Sequence, residues 1–181
     1  MTDTYIDVTH PDQNFNAGSE SNFLRLYPNL SNCQSALMRF DLAMLPAGST
    51  IVTATLDIYI QGRNNNNSLL ADVYRVLRNW DPASATWNRA NATSNWQSAG
   101  VNGALDRSFT SEGLLWLDQV PDTWVSVDLT GLVHYWVNNP SQNYGLVFLG
   151  RAGGGVQYVL RSSDYPVSKA YTRPKLTIFY R

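Results

Sequence analysis

Six side chains offer the clearest chemistry: the guanidinium groups of Arg25, Arg39, Arg75 and Arg161 and the phenol rings of Tyr27 and Tyr59. A guanidinium presents a planar fork of N–H donors that matches a uronate carboxylate two by two, and an aromatic face suits the apolar face of a sugar ring. Together they would form a cationic groove with stacking platforms. The alternative is that each arginine pairs with Asp41, Asp57 or nearby backbone and holds a solvated sheet face. Either role requires strands. With Met38, Phe40 and Leu42 facing a core, Arg39 and Asp41 must point off the opposite face. The same rule exposes Arg25 with Tyr27, and Asp57 with Tyr59. Placing Val156, Tyr158 and Leu160 inward leaves Gln157 and Arg161 outward. Arg75 stays ambiguous, because both parities of Leu69 to Leu77 are mostly apolar.

Other chemistries find less support. Asp12, Asn14 and Asp164 supply oxygen donors in loops near the sheet ends and are the candidates for a structural calcium. Asp12-Gln13-Asn14-Phe15-Asn16 has the spacing of the start of a calcium loop, but no bidentate Glu follows, and an Asx-turn or capping role competes for Asp12. No enzyme is expected. His10 precedes a turn proline, His134 lies among apolar neighbours, and Asp41 and Asp57 would sit on a flat sheet without the deep cleft a glycosidase needs. Cys33 is the one cysteine, so no intrachain disulfide and no cysteine-based metal site is possible. Trp87 and Trp96 are a second stacking candidate, with packing as the competing role.

A chain of 181 residues with 44% hydrophobic and 12% aromatic residues fits one core, and one domain over 1–181 is expected. The formal net charge of -1 offers no general attraction to phosphate backbones or anionic membranes, so nucleic acid is not an expected partner. No apolar run reaches the length of a bilayer span, and membrane insertion is not expected. No basic-then-apolar signal segment opens the sequence, so an exported form would be the mature or excised piece.

The dominant hydrophobic period is two, as a half-buried strand requires. Leu56-Asp57-Ile58-Tyr59-Ile60 is the clearest case. Alternation also marks 23–27, 36–42, 124–129 and 175–180, and 70–77, 144–149 and 156–161 complete about eight or nine strands. Turn signals separate them at Pro46-Ala47-Gly48-Ser49, Asn64-Asn65-Asn66-Asn67, Asn138-Asn139-Pro140 and Gly153-Gly154-Gly155. The four-Asn run and the three glycines each read as a hairpin end. One short helix is expected after Thr130, its cap, with Leu132, Val133 and Trp136 on one side. The stretch from Asp81 to Gly113 is a long excursion whose tryptophans should pack over an open end of the structure. The fold class is therefore all-β: an antiparallel β-sandwich with one short helix.

Eight segments in order resemble a known family. They are Asp3-Thr4-Tyr5-Ile6, Pro11-Asp12-Gln13-Asn14-Phe15, Ala36-Leu37-Met38-Arg39-Phe40-Asp41-Leu42, Val73-Tyr74-Arg75-Val76, Ala85-Thr86-Trp87-Asn88, Val127-Asp128-Leu129-Thr130-Gly131-Leu132-Val133, Asn143-Tyr144-Gly145-Leu146 and Arg173-Pro174-Lys175-Leu176-Thr177-Ile178. The order is similar to that of DNRLRE-domain proteins and of the disaggregatase-related modules, nearly end to end. The resemblance implies a jelly roll appended to large secreted or cell-surface proteins, including alginate lyases in which it serves as a carbohydrate-binding module. It implies a polysaccharide partner and attached catalytic or surface-protein domains. A structural or adhesive spacer without a glycan ligand is the other expectation.

Overall fold

The structure is a computed structural model describing residues 1–28, 31–46, 48–118, 120–151 and 155–181. Gly153 and Gly154 of the expected glycine turn and Ala47 of the Pro46 to Ser49 turn lie outside these residues. The strands are β1 (Thr2–Asp7), β2 (Phe23–Leu26), β3 (Gln34–Arg39), β4 (Ile51–Arg63), β5 (Leu69–Arg75), β6 (Arg89–Asn91), β7 (Ser94–Asn95), β8 (Gly113–Leu117), β9 (Trp124–Asp128), β10 (Leu146–Gly150), β11 (Tyr158–Arg161) and β12 (Lys175–Tyr180). One α-helix, α1, spans Thr130–Asn138.

Two antiparallel sheets form a sandwich. The first has the order β1-β3-β10-β5-β8, and the second β12-β4-β11-β2, with β9 also paired to the long β4. Between them lies a core of alternating inward residues, among them Leu24, Leu26, Met38, Leu56, Ile58, Ile60, Val73, Phe148, Tyr158 and Leu160. Each such side chain contributes roughly 1.5–3 kcal/mol by leaving water. The alternation read from the sequence thus gives the right inward and outward parity on β2, β3, β4, β9 and β11.

Parity does not name a strand's partner. β4 and β5 stand in different sheets, so the four-Asn run crosses from one sheet to the other and is not a hairpin end. The same holds for the strands flanking the three glycines, β10 and β11. Most consecutive strands change sheet in this way, as in a jelly roll. Strands β1, β6, β7 and β8 add to the sequence-read set.

The helix buries Leu132, Val133 and Trp136 as expected. Its start is held differently. Asp128 Oδ1 accepts from both the N–H and the hydroxyl of Thr130, at 2.8 and 2.6 Å, and the Thr130 hydroxyl accepts from the Ala54 N–H. Asp128 therefore does the capping, and those hydrogen bonds hold its carboxyl below the usual range.

The excursion after β5 does not cover an open end of the sandwich. It roofs the outer face of the first sheet, where Ile6, Leu37 and Val147 meet Val76, Trp80, Ala85, Ala90, Trp96 and Val101 in a second core. Sheet one therefore packs on both faces, which explains why β10 reads as a nearly continuous apolar run.

Candidate functional site

The outer face of the second sheet remains open, and four of the six sequence-read residues belong to its strands or their ends: Arg25, Tyr27, Tyr59 and Arg161. Its centre is Arg161, on β11. The Arg161 guanidinium lies 4.2 Å from the ring centre of Tyr59 and 4.3 Å from that of Tyr165. Its Nε donates to Gln61 Oε1 at 2.8 Å, an oxygen that also accepts from the Tyr165 hydroxyl at 3.1 Å. Its Nη2 meets Asp122 Oδ1 at 3.4 Å.

The contacts continue on both sides. Trp124, opposite Tyr59 in the register of β9 on β4, sets its ring edge to face against Tyr59 at 5.2 Å and 88°. Phe23 of β2 meets Tyr165 at 5.8 Å. The Tyr59 hydroxyl donates to the Asp122 carbonyl at 3.0 Å, which fixes the ring. The result is a row, Trp124, Tyr59, Arg161, Tyr165 and Phe23, crossing four strands' width. Trp124 is 40% exposed, whereas Arg161 is only 4% exposed. Arg161 is accordingly the brace of the row, and Trp124 with Tyr59 forms its solvent-facing end.

Arg25 sits at the sheet's edge. Its Nη2 lies 3.0 Å from Glu20 Oε2, and its guanidinium rests over the Tyr5 ring at 5.6 Å. Burial alone would raise the Glu20 carboxyl, but hydrogen bonds from Tyr5 and Arg25 and the Arg25 charge hold it below the usual range. Tyr27 closes an isolated backbone bridge to Gln34 at the end of β2.

The other two arginines stand elsewhere, so a single groove of four arginines is not assembled. Arg39 lies on the outer face of the first sheet, donating to Asn79 Oδ1 at 3.1 Å beside the Trp80 ring. Arg75 shares the inward parity of Leu69, Ala71 and Val73 at the end of β5. There its guanidinium caps the Tyr135 ring of α1 at 3.6 Å, with Glu112 3.8 Å away. Nor do the arginines pair with Asp41 or Asp57: Asp41 accepts from the Ala43 N–H, and Asp57 from Ser126, with Lys175 nearby.

The calcium candidates are engaged in fold contacts. Both hydrogens of the Asn14 amide go to the carbonyls of Pro82 and Ala85, at 2.8 and 2.7 Å, and its oxygen accepts from the Asn16 N–H. Asp12 accepts from Asn88 at 3.0 Å. Asp164, whose N–H donates to the Ser162 hydroxyl, sits near the Asp3 carboxyl, which is raised chiefly by burial and further by the Asp164 charge. Among the described residues no group of three or more His, Cys, Asp or Glu converges on one point.

Sequence reasoning missed Trp124, Gln61, Tyr165 and Phe23. Parity alone would have placed Trp124 on the outer face, since Val125 and Val127 point inward. Tyr165 lies in a turn beyond β11, where no alternation exists to read. Trp87 and Trp96, the second stacking candidate, belong to the roof over sheet one: Trp96 is buried with Nε1 donating to the Thr86 carbonyl, and Trp87 packs against the second core.

Fold and site together define a jelly-roll β-sandwich with one roofed face and one open face carrying a braced aromatic row. The chain belongs to the disaggregatase-related repeat family: the family profile described as the disaggregatase related repeat domain matches residues 7–178. A search of curated proteins returned no match.

Proposed function

We propose that this domain is a non-catalytic carbohydrate-binding module for an acidic polysaccharide such as alginate, acting at the cell surface or outside the cell to hold an attached enzyme near its substrate. The observation that supports this reading is the braced row on the open sheet face. Trp124 and Tyr59 present aromatic surface that needs no reordering on binding, because Arg161, Gln61 and Asp122 already fix it. A sugar ring stacks its apolar C–H face on such a surface. Arg25 on β2 and Lys175 on β12 add cations to the same sheet, each beside a carboxylate, Glu20 and Asp57, with the Lys175 side chain largely exposed. A module of this kind acts by raising the local concentration of polymer around its partner domain.

Affinity electrophoresis through gels containing alginate, polygalacturonate or neutral glucan tests the reading. Retardation by the acidic polymers, weakened by salt, is expected. Free migration in every gel would favour a structural or adhesive spacer.

A further inference from the structure

A second aromatic platform stands on the opposite side of the sandwich. On β8, Leu115 and Leu117 face the core, which turns Leu114 and Trp116 outward. The roof over the first sheet covers the face around Leu37 and Val147 and leaves this edge bare: Trp116 is 62% exposed and Leu114 45%. Opposite Trp116 on β5 stands Leu70, whose carbonyl accepts from the Arg151 N–H at 2.8 Å on the far side. Trp116 and Arg151 therefore flank the same residue, two strand spacings or about 10 Å apart.

Arg151 is held in place. Its Nε and Nη2 donate to the two carboxylate oxygens of Asp72, each at 2.7 Å. That pairing holds the Asp72 carboxyl below the usual range. The fork engages through Nε and Nη2, so Nη1 points away from Asp72, and the side chain is 51% exposed. Beside it the Arg107 guanidinium covers the Tyr74 ring at 4.0 Å. Two guanidinium groups, Arg151 and Arg107, thus act on the Asp72 carboxylate on the same face as an exposed indole. An arginine fixed by its own carboxylate offers its remaining donors without losing side-chain freedom, which suits the hydroxyls and carboxylates of a sugar chain.

We propose that this edge of the first sheet is a second glycan site, and that the domain bridges two polysaccharide strands, one on each outer face. The inference rests on the polysaccharide reading for the ligand's class but uses none of the residues of the first site. Its polarity is simple: a strand lies flat over Trp116 with an acidic or hydroxyl group at Arg151.

Titration calorimetry with a short alginate oligosaccharide, together with light scattering from long alginate chains, tests it. The unaltered domain should bind two oligosaccharides and raise the scattering by cross-linking chains. Trp116→Ala should halve the stoichiometry and abolish the scattering rise while leaving the remaining affinity and the melting midpoint in place. Arg151→Gln should weaken the same site without touching the other. Unchanged stoichiometry and scattering in both variants would overturn the second site. A single site that Trp124→Ala removes and Trp116→Ala spares would also overturn it and leave the first site standing. Absence of any binding would overturn both.

Discussion

Burial drives the Asp3 carboxyl up to about 7 from its ordinary 3.8, although Ser163 donates both its N–H and its hydroxyl to it at 2.8 and 3.1 Å. Between about pH 4 and 7 the folded chain therefore keeps a proton that the unfolded chain has lost. Stability contributed by this group falls as pH rises through that window and levels off above it. Asp3→Asn removes the titration, so its melting midpoint relative to the parent should climb between about pH 4 and 7. A constant difference would contradict the assignment. Asp106 is fully buried and completely employed: it accepts from the N–H groups of Gln97, Ser98 and Gly103 at 2.8 to 3.1 Å and faces Arg78. Asp106→Ala should cost about 3 kcal/mol or more in chemical denaturation, because three donors and a cation lose their partner. At this scale the sequence revealed residue types but not their partners. Arg161 read as an outward-facing ligand group, and it does point outward, yet Tyr59 and Tyr165 close over it. A period-two pattern says which side a residue faces; it is silent on what lies there.

The excursion from Val76 to Glu112 is an element with a core of its own rather than a loose loop. Trp80 donates to the Tyr144 carbonyl at 2.6 Å and Trp96 to that of Thr86 at 3.0 Å, so both indoles are packed and polar-satisfied. Trp96→Ala should lose roughly 3–5 kcal/mol, measured by denaturant melting. Several of the family-like segments turn out to be staples of this junction. In Asn143-Tyr144-Gly145-Leu146, Asn143 donates to the Phe40 carbonyl and accepts from the Gly145 N–H. Gly145 has φ +80° and stands where a Cβ would come 2.2 Å from the Met38 carbonyl oxygen. Gly145→Ala should destabilise by at least about 1 kcal/mol from the backbone alone, with more from the clash. The strands and the helix were legible because burial imposes a period on them. The roof was not, since its packing runs through irregular backbone, and neither was sheet membership, which depends on contacts distant in sequence. The ordered motifs proved to be the most informative part of the sequence for the fold and carried no information on the open face.

As a whole molecule, the sandwich has two unlike outsides. One face of the first sheet spends its surface on the second core, leaving only the edge around Trp116, while the second sheet keeps an outer face crossed by the aromatic row. No helix among the described residues is long and apolar enough to cross a membrane. The proposed function places the functional weight on Trp124 and Tyr59 of the unroofed sheet. Calorimetric titration of alginate oligosaccharide into the parent and into Trp124→Ala is the most direct measurement of that claim. The account predicts that losing the exposed indole weakens binding at the open face about tenfold, a change of about 1.4 kcal/mol. Equal affinity at every site in the two proteins would contradict it.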